Sequence, residues 1–226
     1  MTNGDGDLTF TIGFLIYPHM TMLDVAGPAQ VFSFASDVRV EFVSQTMSLV
    51  PTDAGFSIQP TVTIGDCPKL DMIFVPGGGG QIAVMSAPHV FEWLRHHAMS
   101  AQYVTSVCSG SLLLGAAGLL KGYRATSHWS VLDHLQTFGA ITDPSRIVID
   151  RNRVTGGGVT AGIDFALAMV AKIRGEEEAK AIQLALEYDP QPPFACGHPD
   201  MADRETIMAA RNILTDLQKK GATPLQ

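Results

Sequence analysis

The 226-residue chain is short of charge, of cysteine and of long apolar runs, and each shortage removes a class of function. Charged residues make up only 16% of it, the net charge is −7, and there is no basic cluster, so no nucleic-acid partner is expected. No apolar run reaches the ~18 residues that a membrane-spanning helix needs, so no membrane partner is expected either. The opening MTNGDGDLTF is polar and acidic where a signal peptide would be basic and then apolar. A cytoplasmic protein with reduced thiols is the expectation. The three cysteines, Cys67, Cys108 and Cys196, are odd in number and widely spaced, which fits neither a disulfide framework nor a zinc knuckle. With no His-x-x-x-His pair and no Cys/His cluster, neither a metal nor another cofactor is expected.

What the chain has is a large apolar fraction, 46%, arranged as strands alternating with helices. LTFTIGFLIY (Leu8 to Tyr17), VRVEFVSQ (Val38 to Gln45), DMIFV and YVTSVCSG read as buried strands, and IVIDRNRVTGGG as a hairpin. GFSIQPTVTI reads as extended. Pro28 suits the first turn of a helix after the first strand, where its missing N–H costs nothing. APHVFEWLRHHAMS reads as helical, with His96 and His97 on a solvated face. Three further helices are expected at Thr160 to Arg174, Glu176 to Glu187 and Asp203 to Lys219. The alternation predicts an α/β fold, a mostly parallel sheet covered on both faces, in one domain spanning 1–226.

Sites in such folds gather at the carboxyl ends of the strands. Two glycine-rich exits stand there, VPGGGG and VCSGS, and the second turns from strand to helix at Cys108. A thiol on that corner is exposed, rigidly held and close to unpaired helical N–H groups, which are expected to lower its pKa. The alternative is a small apolar cysteine packed in the core. The chain around Cys108 offers Ser106, Ser109 and Ser111 but no proton-transfer group, so that group must come from another loop. Asp24, in MLDVAGP, is the first candidate; it either caps its helix or, if desolvated beside the thiol, holds a proton. His128, in ATSHWS, is the second, against a plain packing role. Backbone N–H groups at Gly78, Gly79 and Ser109 are candidates for steadying an oxyanion. Met22, Val25, Trp129 and Ile163 are the expected apolar lining.

The segments MIFVPGGGG, VCSGSLLLGAAGLLKGYRATSHW and TGGGVTAGIDFAL resemble the ThiJ/PfpI superfamily, relatives of the class I glutamine amidotransferases, from about Leu8 to Glu187. The resemblance implies a flavodoxin-like three-layer sandwich, a homodimer, and a cysteine on a nucleophile elbow. The superfamily's proteases place a histidine after that cysteine, where this chain has Ser109. Its glyoxalase-like members use a glutamate after the first strand, where this chain has Asp24. The LD-x-x-GP motif with VC-[ST]-GS is similar to the isonitrile-hydrating members, whose catalytic trio falls on Asp24, Cys108 and, with Ser for Thr, Ser109. The activity so implied is hydration of a small uncharged isonitrile to an N-substituted formamide through a cysteine thioimidate. A glyoxalase or deglycase using Cys108 with His128, and a non-catalytic cysteine redox sensor, are the alternatives. AraC-type regulators share the fold but continue into a DNA-binding region, and a chain ending at Gln226 is expected not to be one.

Overall fold

The computed structural model describes residues 9–222. The start of the first expected strand, Leu8, and most of the polar opening segment lie outside them. Seven strands form one sheet: β1 (Phe10–Leu15), β2 (Val38–Ser44), β3 (Val62–Thr63), β4 (Met72–Val75), β5 (Tyr103–Ser106), β6 (Ile147–Asp150) and β7 (Arg153–Gly156). Their order is β6-β7-β5-β4-β1-β2-β3. Every neighbouring pair is parallel except β6 and β7, the hairpin read from IVIDRNRVTGGG. The helices are α1 (Met22–Ser33), α2 (Gln81–Val84), α3 (Pro88–Ala98), α4 (Gly110–Ala116), α5 (Ala161–Arg174), α6 (Glu176–Ala185) and α7 (Arg204–Ala222).

Right-handed crossovers place α1 on one face and α3 and α4 on the other, because the chain moves one way from β1 to β2 and the opposite way from β4 to β5. Helix α5 packs on α1 and so returns to the first face. The result is the three-layer, flavodoxin-like α/β arrangement. The direction of winding reverses between β1 and β4, and the crevice at that switch point is where open α/β sheets bind ligands.

Strands buried on both faces explain the near-continuous apolar runs of β1 and β4. At their centre Phe14 and Phe74 stack with ring centroids 4.2 Å apart, and Phe165 from α5 leans on Phe74 at 5.6 Å. All three are fully buried.

Two local expectations are corrected. Pro28 lies inside α1, not in its first turn, because the helix begins at Met22. The proline leaves the Asp24 carbonyl without its usual i+4 donor, and its ring packs over Gly162 of α5, where an added Cβ would stand 3.0 Å from it. His97 is buried against Trp93 rather than solvated, with ring centroids 5.0 Å apart, and burial lowers its pKa.

Phe74→Ala removes the ring that joins the two aromatic neighbours, and it should lower stability by about 3–5 kcal/mol. Urea unfolding followed by circular dichroism checks this; a loss below about 1 kcal/mol would mean the cluster repacks.

Candidate active site

The chain passes from β5 to α4 through Val107, Cys108 and Ser109, and Cys108 takes a left-handed backbone conformation with φ of 53°. A non-glycine residue is strained there and persists only where its surroundings fix it. Here Cys108 N–H donates to the Gly157 carbonyl at 2.7 Å, and its own carbonyl accepts from the Ser127 hydroxyl at 3.0 Å. The turn fits because its neighbours carry no side chains. A Cβ on Gly110 would come within 2.2 Å of the Val75 carbonyl, and one on Gly77 within 2.6 Å of Ser109 N. This is the nucleophile elbow geometry expected from VCSGS.

Asp24 is fully buried in the first turn of α1, yet it does not cap that helix. The helix N-terminus is served instead by Asp53, whose carboxylate accepts from Met22 N–H at 2.9 Å. Asp24 Oδ2 reaches across to accept from Gly77 N–H at 2.8 Å. Its Oδ1 has no partner within ordinary hydrogen-bond geometry. A looser thiol–carboxyl interaction links Asp24 to Cys108, close enough that each moves the other's titration. The structure therefore brings together the two residues that the sequence left on separate loops, and it removes the capping alternative for Asp24.

Burial dominates the electrostatics. It pushes the Asp24 carboxyl up to about 7, against the opposing pull of the Gly77 hydrogen bond, with the Asp53 charge adding to the rise. The thiol is corrected more sharply. Burial, reinforced by the Asp24 charge, drives Cys108 well above the ordinary thiol range. The expected lowering by N–H groups is present, from Ser109 N–H and the Ser109 hydroxyl, but it is the smaller effect. Tyr17, hydrogen-bonded through its hydroxyl to the Pro76 carbonyl at 2.8 Å, is buried beside the same two groups and is raised likewise. No cation contributes to the shifts of Asp24 or Cys108, so this corner retains protons.

Ser109 fills the position after the cysteine. Its Oγ accepts from Gly78 N–H at 3.2 Å, which aims the hydroxyl toward the sulfur. Gly78 N–H is thus committed to orienting Ser109 and is not the free oxyanion donor expected. Gly79 N–H has no partner among the described residues, and Gly79 lines the cavity.

The cavity holds about 230 Å³ and is bounded by Cys108, Ser109, Gly78, Gly79 and His128, with Val131, Val159, Leu214 and Leu217 as its apolar part. Of the expected lining, Val25 is in the core, Ile163 packs near Gly27, and Trp129 faces Arg211 of α7. Neither these nor Met22 borders this cavity. The mistake has a physical source: sequence proximity to a site residue says nothing about which helix closes the pocket. His128 is half-buried, with its pKa lowered by burial. Its Nδ1 accepts from Ser130 N–H at 3.3 Å and lies 2.8 Å from the Ser130 hydroxyl, which leaves the proton on Nε2. Cys67 is partly buried, with its pKa raised by burial, and Cys196 is exposed; both are remote from this corner. Among the described residues no cluster of His, Cys, Asp or Glu is suited to a metal ion. Sequence reading missed Tyr17, Asp53, Ser127 and Gly157. Ser127, inside ATSHW, and Gly157, inside TGGGVTAGIDFAL, lay in segments that carried the resemblance; Tyr17 and Asp53 carried no signal.

A family model for the DJ-1/PfpI family matches residues 11–172. The chain is 47% identical over 225 residues to an isonitrile hydratase of Pseudomonas putida, covering 96% of this chain and 99% of that one. It is 31% identical to the HTH-type transcriptional regulator GbdR of Pseudomonas aeruginosa over 79% of this chain, but over only 51% of the regulator. A crystal structure of a THiJ/PfpI family protein from Pseudomonas syringae superposes with a TM-score of 0.89 at 45% identity, covering 94% of this chain and 89% of that one. By its elbow, its sheet order and these matches, the chain belongs to the DJ-1/PfpI family.

Proposed function

We propose that the protein hydrates isonitriles, R–N≡C, to N-substituted formamides, with Cys108 as nucleophile and Asp24 as the proton carrier. The observation that carries this is the placement of Asp24. One carboxyl oxygen is anchored on Gly77 N–H, and the other is unpartnered beside a thiol that also retains its proton. The near-full-length likeness to the Pseudomonas putida isonitrile hydratase supports the same substrate class.

The chemistry needs this pairing. The terminal carbon of an isonitrile must gain both the sulfur and a proton, giving the thioimidate R–N=CH–S–Cys. With the carboxyl titrating near 7 and the thiol well above 9, the pair holds one transferable proton across the range between. Asp24 takes that proton from the thiol as sulfur attacks, and hands it to the carbon. Water then adds to the thioimidate carbon as Asp24 takes its proton and passes it to nitrogen. The adduct R–NH–CH(OH)–S–Cys collapses, its hydroxyl proton returning to sulfur through Asp24, to leave R–NH–CHO and the thiol. The covalent route divides one difficult hydration into two easier steps. Ser109 hydroxyl and N–H steady the sulfur as its charge develops. An uncharged substrate suits a cavity walled by Val131, Val159 and Leu217. The chain is read as one domain in the cytoplasm, from its composition and element order, and as a homodimer, from the family resemblance.

Cys108→Ala should abolish formamide production from a simple alkyl isonitrile, measured by product chromatography. Asp24→Asn should lose most turnover with the fold intact, whereas Ser109→Ala should cost about 10²-fold or less. His128→Ala should retain substantial activity. A dead His128→Ala beside an active Asp24→Asn would transfer the proton-carrying role to the histidine.

The acid limb of kcat/KM should lie near pH 7, because below it both groups are protonated and the carboxyl cannot accept the thiol proton. Asp24→Asn should remove that limb; a limb that persists in the variant belongs to another group.

Stability carries the same signature with opposite sense. The folded carboxyl binds its proton up to about pH 7, while the unfolded one releases it near 4, so the native state becomes relatively less stable as pH rises through that window. Asp24→Asn should therefore gain stability over the parent by a few kcal/mol at pH 8 and by little at pH 4, as read by chemical unfolding. An equal effect at both pH values would mean that Asp24 titrates normally.

A further inference from the structure

The cavity around Cys108, about 230 Å³, is smaller than the ~300 Å³ at which small-molecule sites ordinarily begin. It has room for the reacting group and the first atoms attached to it. Gln81, Ser130, Val131, Leu214 and Gln218 border this cavity and also a neighbouring groove of about 500 Å³. Past that shared wall the groove presents carbon surface from Ile82, Met85, Leu112 and Phe138. A linear R–N≡C group directs its substituent away from the sulfur, and past Val131 and Leu214 the groove offers that carbon surface as its apolar part, with His134, Thr137 and Arg211 as its polar part.

Helix α7 closes both spaces. It lies so close to the β4 exit that a Cβ on Gly79 would stand 2.7 Å from the Leu217 carbonyl oxygen and 3.2 Å from Gln218 Cα. Arg211 holds its guanidinium 4.9 Å over the Trp129 ring, fixing the helix to the segment that carries His128 and Ser130. The family match ends at residue 172, whereas α7 begins at Arg204, so this roof lies outside the part of the chain that the family model matches.

We propose that the groove beneath α7 is the subsite for the isonitrile's N-substituent, suited to extended apolar groups such as phenylalkyl chains, with Leu214 and Thr215 of α7 setting the length accepted. The proposal rests on the hydratase reading above. The elbow and Asp24 act on the terminal carbon whatever is attached to it, and α7 decides what is attached. Each methylene seated in an apolar site contributes about tenfold or more to discrimination, so an extended substituent gains its advantage in KM, in the groove rather than at the sulfur.

The test compares 4-phenylbutyl isonitrile with methyl isonitrile in the parent protein, in Thr215→Trp, which fills the groove from an exposed helix position, and in Ile82→Gln, which makes its floor polar. The parent should prefer the phenylbutyl substrate by at least tenfold in kcat/KM. Thr215→Trp should reduce that preference about tenfold or more, through KM, and Ile82→Gln should reduce it about threefold. A parent with no preference, or variants in which both substrates change together, overturns the groove assignment. That second result is also what a groove covered by a second copy of the chain would give. A parent that hydrates neither substrate overturns the hydratase reading instead. The groove is then decided by calorimetric binding of N-(4-phenylbutyl)formamide, which must be tighter than that of N-methylformamide and weakened by Thr215→Trp.

Discussion

The site depends on how closely the exits of β4 and β5 approach each other. Gly77 passes the Cys108–Ser109 peptide with no room for a side chain, and its N–H is then in place to bind Asp24 from the exit of β1. Three strand ends are joined at one point, by one steric constraint and one buried hydrogen bond. Cys108 holds its left-handed conformation, φ of 53°, beside that same contact. Ser127 and Gly157 hold the other side of the turn, which ties the segments after α4 and after β7 to the same residue.

Desolvation then does the chemical work. A thiol at a helix N-terminus in contact with water is expected to ionise easily. In this pocket burial and the neighbouring carboxyl outweigh the N–H groups, so the thiol still holds its proton where the carboxyl has given up its own. That suits a reaction which adds S–H across one carbon better than it suits a permanently ionised nucleophile. Holding an ionised Asp24 in this environment costs on the order of 4 kcal/mol at about 1.4 kcal/mol per unit, a cost that selection for stability alone would remove.

Division of labour runs along the chain. The elbow, the acid and all of the sheet except Phe10 lie within the family match, residues 11–172, while the roof of the cavity comes from α7 beyond it. The reacting centre is built on strand ends, and the space above it is bounded by α7.

The sequence alone determined the layers, the parallel strands and the strand-to-helix elbow at Cys108, because these are local: apolar period, glycine placement and a strand-to-helix turn are written in neighbouring residues. It could not decide the sign of the Cys108 shift, since helix-end N–H groups are visible in a motif and desolvation is not. It could not decide that Gly78 N–H serves Ser109, that Asp53 rather than Asp24 caps α1, or that Pro28 sits inside that helix against Gly162. Nor could it say that Leu214 and Leu217, rather than Val25 and Ile163, wall the cavity. Those outcomes depend on which distant segments meet, and a contact between residues far apart in the chain is settled by packing the whole core, not by the pattern of any one segment.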